Sequence, residues 1–143
     1  MPDGTRRAPH VFSLRVYYED TDAGGMVYYA NYLRFAERAR TEMLRQAGIG
    51  QQAMLEGEGL GFIVRRCTIE YLKPARLDDL LDVHTTLVEA RGARLAVAQR
   101  ISRADEDLAR FALEIACVDR AGRPRRLPKA LLSAFAAAIS PSS

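Results

Sequence analysis

Three carboxylates, Glu19, Asp20 and Asp22, crowd a short segment that runs straight into Gly24-Gly25, between two stretches of different periodicity. Upstream, Phe12, Leu14, Val16 and Tyr18 alternate with Ser13, Arg15 and Tyr17, so Val11 to Tyr18 carries the period of a half-buried strand. Downstream, from about Val27 to Ala47, Tyr28, Tyr32, Phe35, Ala36, Ala39, Met43 and Ala47 fall on one helical stripe. Free N–H groups at such a helix start carry partial positive charge and can stabilise a developing oxyanion. A carboxylate a few residues earlier can act on the same carbonyl carbon, as nucleophile or as general base to a water. Asp20, Thr21 or Asp22 would equally serve to cap the helix and turn the chain. On pattern alone, capping has the stronger claim.

The elements that must position this segment continue down the chain. Arg34, Glu37, Arg38, Glu42 and Arg45 lie largely opposite the apolar stripe, Gly48 stops the helix, and Gln51 to Gly61 is a polar, glycine-containing connector. Four more runs read as strands. In Phe62 to Leu72, Ile63, Cys67, Ile69 and Tyr71 share a face and Pro74 ends the run. Leu81, Val83, Thr85 and Leu87 alternate next, then Leu95, Val97, Gln99 and Ile101, then Ala109, Phe111, Leu113, Ile115 and Cys117. The connectors at 89–94 and 102–107 are of hairpin length, which makes neighbouring strands antiparallel. A turn over 119–124 precedes a short helix, Lys129 to Ile139, with Leu131, Leu132, Phe135 and Ile139 inward. Strand, long helix, then a run of antiparallel strands is an α+β layer. One helix covers one sheet face, so the other, bearing Phe62, Val64, Ala96 and Ala98, needs cover from a second subunit.

The 143 residues suit a single domain, 1–143, with a core over about 11–139; 48% are hydrophobic and 27% charged, which excludes a disordered chain. The net charge of +3 is too mild for a nucleic-acid binder, and the basic residues lack interleaved aromatics. Arg120, Arg123, Arg125, Arg126 and Lys129 form the one local excess, read as a solvated turn. Residues 1–10 lack an apolar signal region and no apolar run reaches membrane-spanning length, so the expected location is cytoplasmic. Cys67 and Cys117 lie in apolar alternating segments without metal-ligand spacing, so no metal site is expected and both read as reduced core thiols. His10 and His84 carry ordinary structural readings.

The run from Tyr17 to Tyr32 resembles the signature of the 4-hydroxybenzoyl-CoA thioesterase branch of the hotdog superfamily. It is closer still to the Tol-Pal-associated acyl-CoA thioesterases, whose loop reads much like Tyr-x-Asp-Thr-Asp-Ala-Gly-Gly-x-Val-Tyr. The likeness continues through Asn31-Tyr32, 37–42, 64–66, Glu70-Tyr71, 74–79 and 127–129, and so spans Arg15 to Phe135. It implies a hotdog fold, a long central helix wrapped by a five- to six-stranded antiparallel sheet, assembled as a homodimer or homotetramer. It implies hydrolysis of acyl-CoA to free acid and CoA without metal or redox cofactor. By resemblance Asp22 is the catalytic carboxylate, nucleophile or general base, and the backbone N–H of Tyr29 polarises the thioester carbonyl. The Tol-Pal-associated members usually carry His where this chain has Tyr29. Arg91 and Arg94 stand where that branch places cationic contacts to the nucleotide of CoA, with Lys73 and Arg76 as weaker candidates. An acyl carrier protein is a second possible carrier of the acyl group. The competing reading is a non-catalytic acyl-CoA or carrier-protein scaffold linked to envelope or lipid metabolism; a hydratase would need an Asp and His pair that the sequence does not assemble.

Overall fold

The structure, a computed structural model, describes residues 9–139, and the side chains of residues 9–134. Its elements are β1 (His10–Arg15), α1 (Tyr29–Gln46), α2 (Gln51–Glu58), β2 (Gly61–Tyr71), β3 (Leu80–Arg91), β4 (Arg94–Arg103), β5 (Glu106–Val118) and α3 (Lys129–Ile139). All strand pairs are antiparallel, in the order β1-β3-β4-β5-β2. Among the described residues the strands number five, at the lower end of the expected range.

α1 lies on one face of this sheet. Its Phe35, Ala36 and Ala39 are fully or almost fully buried, as are Leu81, Val83 and Ile101 on the strands. The two alanines let the helix axis come close to the sheet, and each large apolar side chain removed from water contributes about 1.5–3 kcal/mol. α3 packs against β3, with Leu131 in the core and Leu132 half-buried beside it. The inward placement expected of Phe135 and Ile139 falls on side chains outside the described residues.

The alternating faces of β3, β4 and β5 are as expected, but four local readings are corrected. β1 ends at Arg15, opposite Leu80, where its partner strand begins. Tyr18 is therefore exposed, in a one-turn 3-10 helix over Tyr18–Asp20 that Asp20 closes by accepting the Tyr17 N–H through Oδ2 at 2.9 Å. α1 begins at Tyr29 rather than Val27, because the Val27 N–H donates to Ala75 O at 2.9 Å and keeps that residue extended. Its buried stripe runs to Leu44, while Tyr28 and Ala47 are exposed and Met43 is half-buried. The connector after Gly48 is not irregular: α2 occupies most of it, with Met54 alone buried.

The fourth correction concerns β2. A bulge falls between Val64, opposite Ile115, and Arg66, opposite Glu114. The extra residue exchanges the faces. Phe62 and Val64 consequently share the α1 side with Cys67, Ile69 and Tyr71, and Ile63 faces away from it. Phe62 and Val64 thus do not belong to the outer face; Ala96 and Ala98 do, and are half-buried.

Candidate active site

The segment from Asp20 to Tyr29 is a closed loop held by its own backbone. Asp22 N–H donates to Met26 O at 2.8 Å, Gly25 N–H to Asp22 O at 3.1 Å, and Tyr28 N–H to Asp20 O at 3.1 Å. Thr21 and Val27 form an antiparallel bridge. Gly25 turns the chain at φ 79°, a conformation that any residue with a Cβ adopts only at a cost. Asn31, buried on the first turn of α1, donates through Nδ2 to Asp20 O at 2.8 Å and fastens the loop to the helix.

This closure orients Asp22. Its Oδ1 accepts from the Gly24 N–H at 2.8 Å and from the Met26 N–H at 3.3 Å. Among the described residues Oδ2 has no partner, and the side chain is exposed. A Cβ on residue 24 would stand 3.4 Å from Oδ1, in van der Waals contact with the carboxylate. One oxygen is fixed and the other presented outward. Asp20, by contrast, spends its carboxylate on the Tyr17 amide and its carbonyl on Tyr28 and Asn31.

Tyr29 is the first helical residue, and its N–H has no acceptor among the described residues, as expected of a helix start. Its ring is 61% exposed and touches Tyr28, with centroids 4.7 Å apart, and Tyr71, edge-on at 6.4 Å. The Tyr71 hydroxyl approaches Tyr29 O at 3.4 Å as a weak donor. Burial pushes the Tyr71 phenol above its ordinary value, so it stays protonated and able to donate. Sequence reasoning placed Asp22 and Tyr29 together and missed Asn31 and Tyr71 as supports.

The loop that follows β2 completes the frame. Leu77 N–H donates to Gly25 O at 3.0 Å and Ala75 N–H to the buried Tyr32 hydroxyl at 2.9 Å. That loop is in turn held by Arg103, which pairs with Asp79 at 2.6 Å and with Glu106 at 2.7 Å. Lys73 also spends its charge on Glu106.

Arg91 and Arg94 do not join this group within the chain. Arg94 pairs with Glu114 at 3.2 Å and lies opposite Ala116 on β5. Tyr71, beside Tyr29, lies opposite Ala109, seven residues away along the same strand, roughly 23 Å at the usual strand rise. The two arginines therefore mark the far end of the sheet. The histidines stand apart too: His84 Nε2 lies 3.0 Å from Ser102 Oγ, and His10 begins β1. The basic excess is a turn organised by Asp119, which accepts from the Ala121 and Arg123 amides and pairs with Arg125 at 2.9 Å. Among the described residues no cluster of His, Cys, Asp and Glu is arranged to hold a metal ion, and no helix is long and apolar enough to cross a membrane.

Residues 16–135 match a family described as the thioesterase-like superfamily. The chain belongs to this family. It is similar to the acyl-CoA thioester hydrolase YbgC of Escherichia coli O6:H1, with 49% identity over 124 residues covering 85% of this chain and 92% of the relative. The acyl-CoA thioesterase YbgC of Haemophilus influenzae is 47% identical over 125 residues, covering 87% and 92%. Among solved structures, a probable thioesterase from Bartonella henselae superimposes with a TM-score of 0.82 at 42% identity, over 85% of this chain and all of that one. The sheet and long helix of this chain are thus a hotdog fold.

Proposed function

We propose that this chain hydrolyses acyl-CoA thioesters to free acid and CoA, with Asp22 as the working carboxylate and the Tyr29 N–H as the donor to the thioester carbonyl. The observation that carries the reading is the state of Asp22: Oδ1 is held by two backbone amides while Oδ2 has no partner among the described residues, on a loop that Tyr28 and Asn31 fasten to the helix start through Asp20 O. The first N–H groups of α1 stabilise the charge that builds on the carbonyl oxygen in the tetrahedral intermediate. Oδ2 either takes a proton from an attacking water or attacks the carbon itself. In the first route the water oxygen bonds to the acyl carbon as the C–S bond breaks; in the second, Oδ2 displaces the CoA thiolate to give an acyl-Asp22 anhydride that a water then opens, and in both the CoA sulfur leaves and takes up the proton. The likeness to the two YbgC enzymes supports the substrate class.

The working unit is a homodimer, alone or doubled into a tetramer. β2 is an edge strand, and an exposed edge pairs readily with another chain. Ile63, Val64 and Tyr71 on it, and Leu72 just past its end, are all exposed apolar residues. If β2 pairs antiparallel with its own copy about its middle, the Gly61 end of one strand meets the partner's Tyr71 end. Arg91 and Arg94, remote from Asp22 in their own chain, then come to the partner's Asp22 side, where they bind the phosphates of CoA. Free Cys67 and Cys117 suit a cytoplasmic site of action. The acyl group is also deliverable by an acyl carrier protein, whose thioester is chemically the same.

The test is a thiol-release assay over acyl-CoA chain lengths, run beside light scattering. Release of CoA by a dimer or larger assembly is the expected result. A protein that binds acyl-CoA and hydrolyses none would instead be a scaffold, and a 15.9 kDa monomer at micromolar concentration would remove the shared-site geometry.

A further inference from the structure

One part-buried cation makes no ion pair among the described residues. Arg40 sits in the middle of α1, where Nη1 donates to Gln99 Oε1 at 3.0 Å. Gln99 is buried and fully used: its Nε2 donates to Ala36 O at 3.0 Å and to Thr85 Oγ1 at 2.9 Å. Thr85, Gln99 and Arg40 thus form a polar ladder from β3 through β4 to α1, inside an otherwise apolar layer. The ladder fixes the guanidinium, and among the described residues no carboxylate forms an ion pair with it. Glu37, one turn earlier, is exposed, lies close enough to favour the charge and lines the same cavity as Arg40, but makes no ion pair with the guanidinium. Burial pushes the guanidinium below its ordinary value, the sign of a cation drawn from water without full compensation.

Arg40 also lines a cavity of about 180 Å³ between α1 and the sheet, whose apolar wall includes Leu44, Phe62, Val64, Leu95 and Val97. At a water's share of about 30 Å³, this volume holds roughly six non-hydrogen atoms. The bulge in β2 is what turns Phe62 and Val64 toward this cavity. Both residues belong to the Gly61 end of β2, the end that the dimer sets beside the partner's Asp22.

We propose that this cavity receives the far end of the acyl group and that Arg40 selects short acyl chains ending in a carboxylate, making half-thioesters of short dicarboxylic acids preferred substrates. The inference rests on the hydrolase reading above. A guanidinium fork held on one side by Gln99 keeps its remaining donors for a planar acceptor, and a carboxylate matches two of them at once. The apolar wall accepts the methylenes between that carboxylate and the thioester.

The experiment compares kcat/KM for glutaryl-CoA and pentanoyl-CoA, acyl chains of equal carbon count that differ at the far end. Wild type is expected to favour glutaryl by about tenfold or more, the scale of one charge-assisted contact. Arg40→Met should bring the ratio near one, and Arg40→Lys, which keeps charge but not the fork, should leave an intermediate ratio. A wild-type ratio of one or less overturns the inference. So does an Arg40→Met variant that slows both substrates equally, since that is the mark of a purely structural ladder. Should Arg40→Met not fold, an unchanged ratio in Arg40→Lys has the same force. A preference for 5-hydroxypentanoyl-CoA over glutaryl-CoA would also overturn it, assigning the cavity to a hydroxyl shared by Arg40 and Glu37. If wild type hydrolyses no thioester at all, calorimetric affinities for the same two ligands give the ratio independently, so the hydrolase reading and this one fail separately.

Discussion

The Tyr32 hydroxyl accepts the N–H of Ala75 at 2.9 Å, and both residues are buried. This bond ties α1 to the loop after β2, the same loop that holds Val27 and Gly25 through their backbones. Tyr32→Phe keeps the ring, its edge contact with Tyr71 and its contact with Phe35, but leaves the Ala75 amide unpaired in a dry place. The expected cost is about 1–3 kcal/mol in urea unfolding, with the slope unchanged. A variant as stable as wild type would show that water reaches Ala75.

How much of this was legible in the sequence depends on how local each determinant is. Leu81, Val83, Thr85 and Leu87 announce β3 because an unbroken alternation faces one core. β2 misleads because Arg65 enters as an extra residue, so Ile63 and Cys67, in phase by sequence, end on opposite faces. α2 is hidden because one buried residue, Met54, makes no stripe. In the site, the Asp22 turn and the helix start are written in neighbouring residues and can be read. The Arg103 to Asp79 ion pair that braces the adjoining loop joins residues far apart in sequence and leaves no local pattern.

The second acid on Arg103, Glu106, yields a pH prediction. Hydrogen bonds from Lys73 and then Arg103 hold the Glu106 carboxyl below its ordinary value. A depressed folded-state value means that the stabilisation is complete above the unfolded glutamate range and is lost as pH falls through the lower, folded value. Glu106→Gln should therefore lower the melting temperature at pH 7, and the gap from wild type should close as the pH drops below the carboxylate range. A gap independent of pH would point to packing rather than charge.

Arg91 and Arg94 give a kinetic prediction. The Arg94 pair with Glu114 is exposed and so contributes little to stability, leaving the guanidinium available to a phosphate. Replacing both arginines by Ala should raise KM for acyl-CoA and flatten its dependence on salt, with kcat largely kept. An unchanged KM would return both residues to an exposed hairpin.

Tyr29 is expected to act through its amide. Tyr29→Phe leaves the N–H in place and the ring contacts with Tyr28 and Tyr71 available, so most activity should remain. A loss beyond about a hundredfold, the scale of a removed oxyanion donor, would mean that the phenol takes part.

Asp22 and Asp20 are two residues apart and differ in what their carboxylates are free to do. The Asp20 Oδ2 is engaged by the Tyr17 amide, so its side chain shapes the turn. The Asp22 Oδ1 is engaged by Gly24 and Met26, so its orientation is set while Oδ2 stays open. Asp22→Asn preserves size and allows the amide oxygen to keep the Gly24 and Met26 contacts, but it removes both basic and nucleophilic capacity. Its kcat should fall by about a hundredfold or more, the usual range for a positioned acid–base group, while acyl-CoA binding survives. Asp20→Asn should cost far less in kcat, and whatever it costs should track a loss of stability, because its bond closes the turn rather than meeting substrate. Pre-steady-state kinetics adds a further distinction: a burst of CoA followed by slower turnover marks a covalent acyl-Asp22 intermediate, and its absence favours the general-base route unless acyl transfer limits the rate. If Asp22→Asn folds, binds acyl-CoA by calorimetry and turns it over at the wild-type rate, then the carboxylate mechanism is wrong and the chemistry must lie with another group near the start of α1.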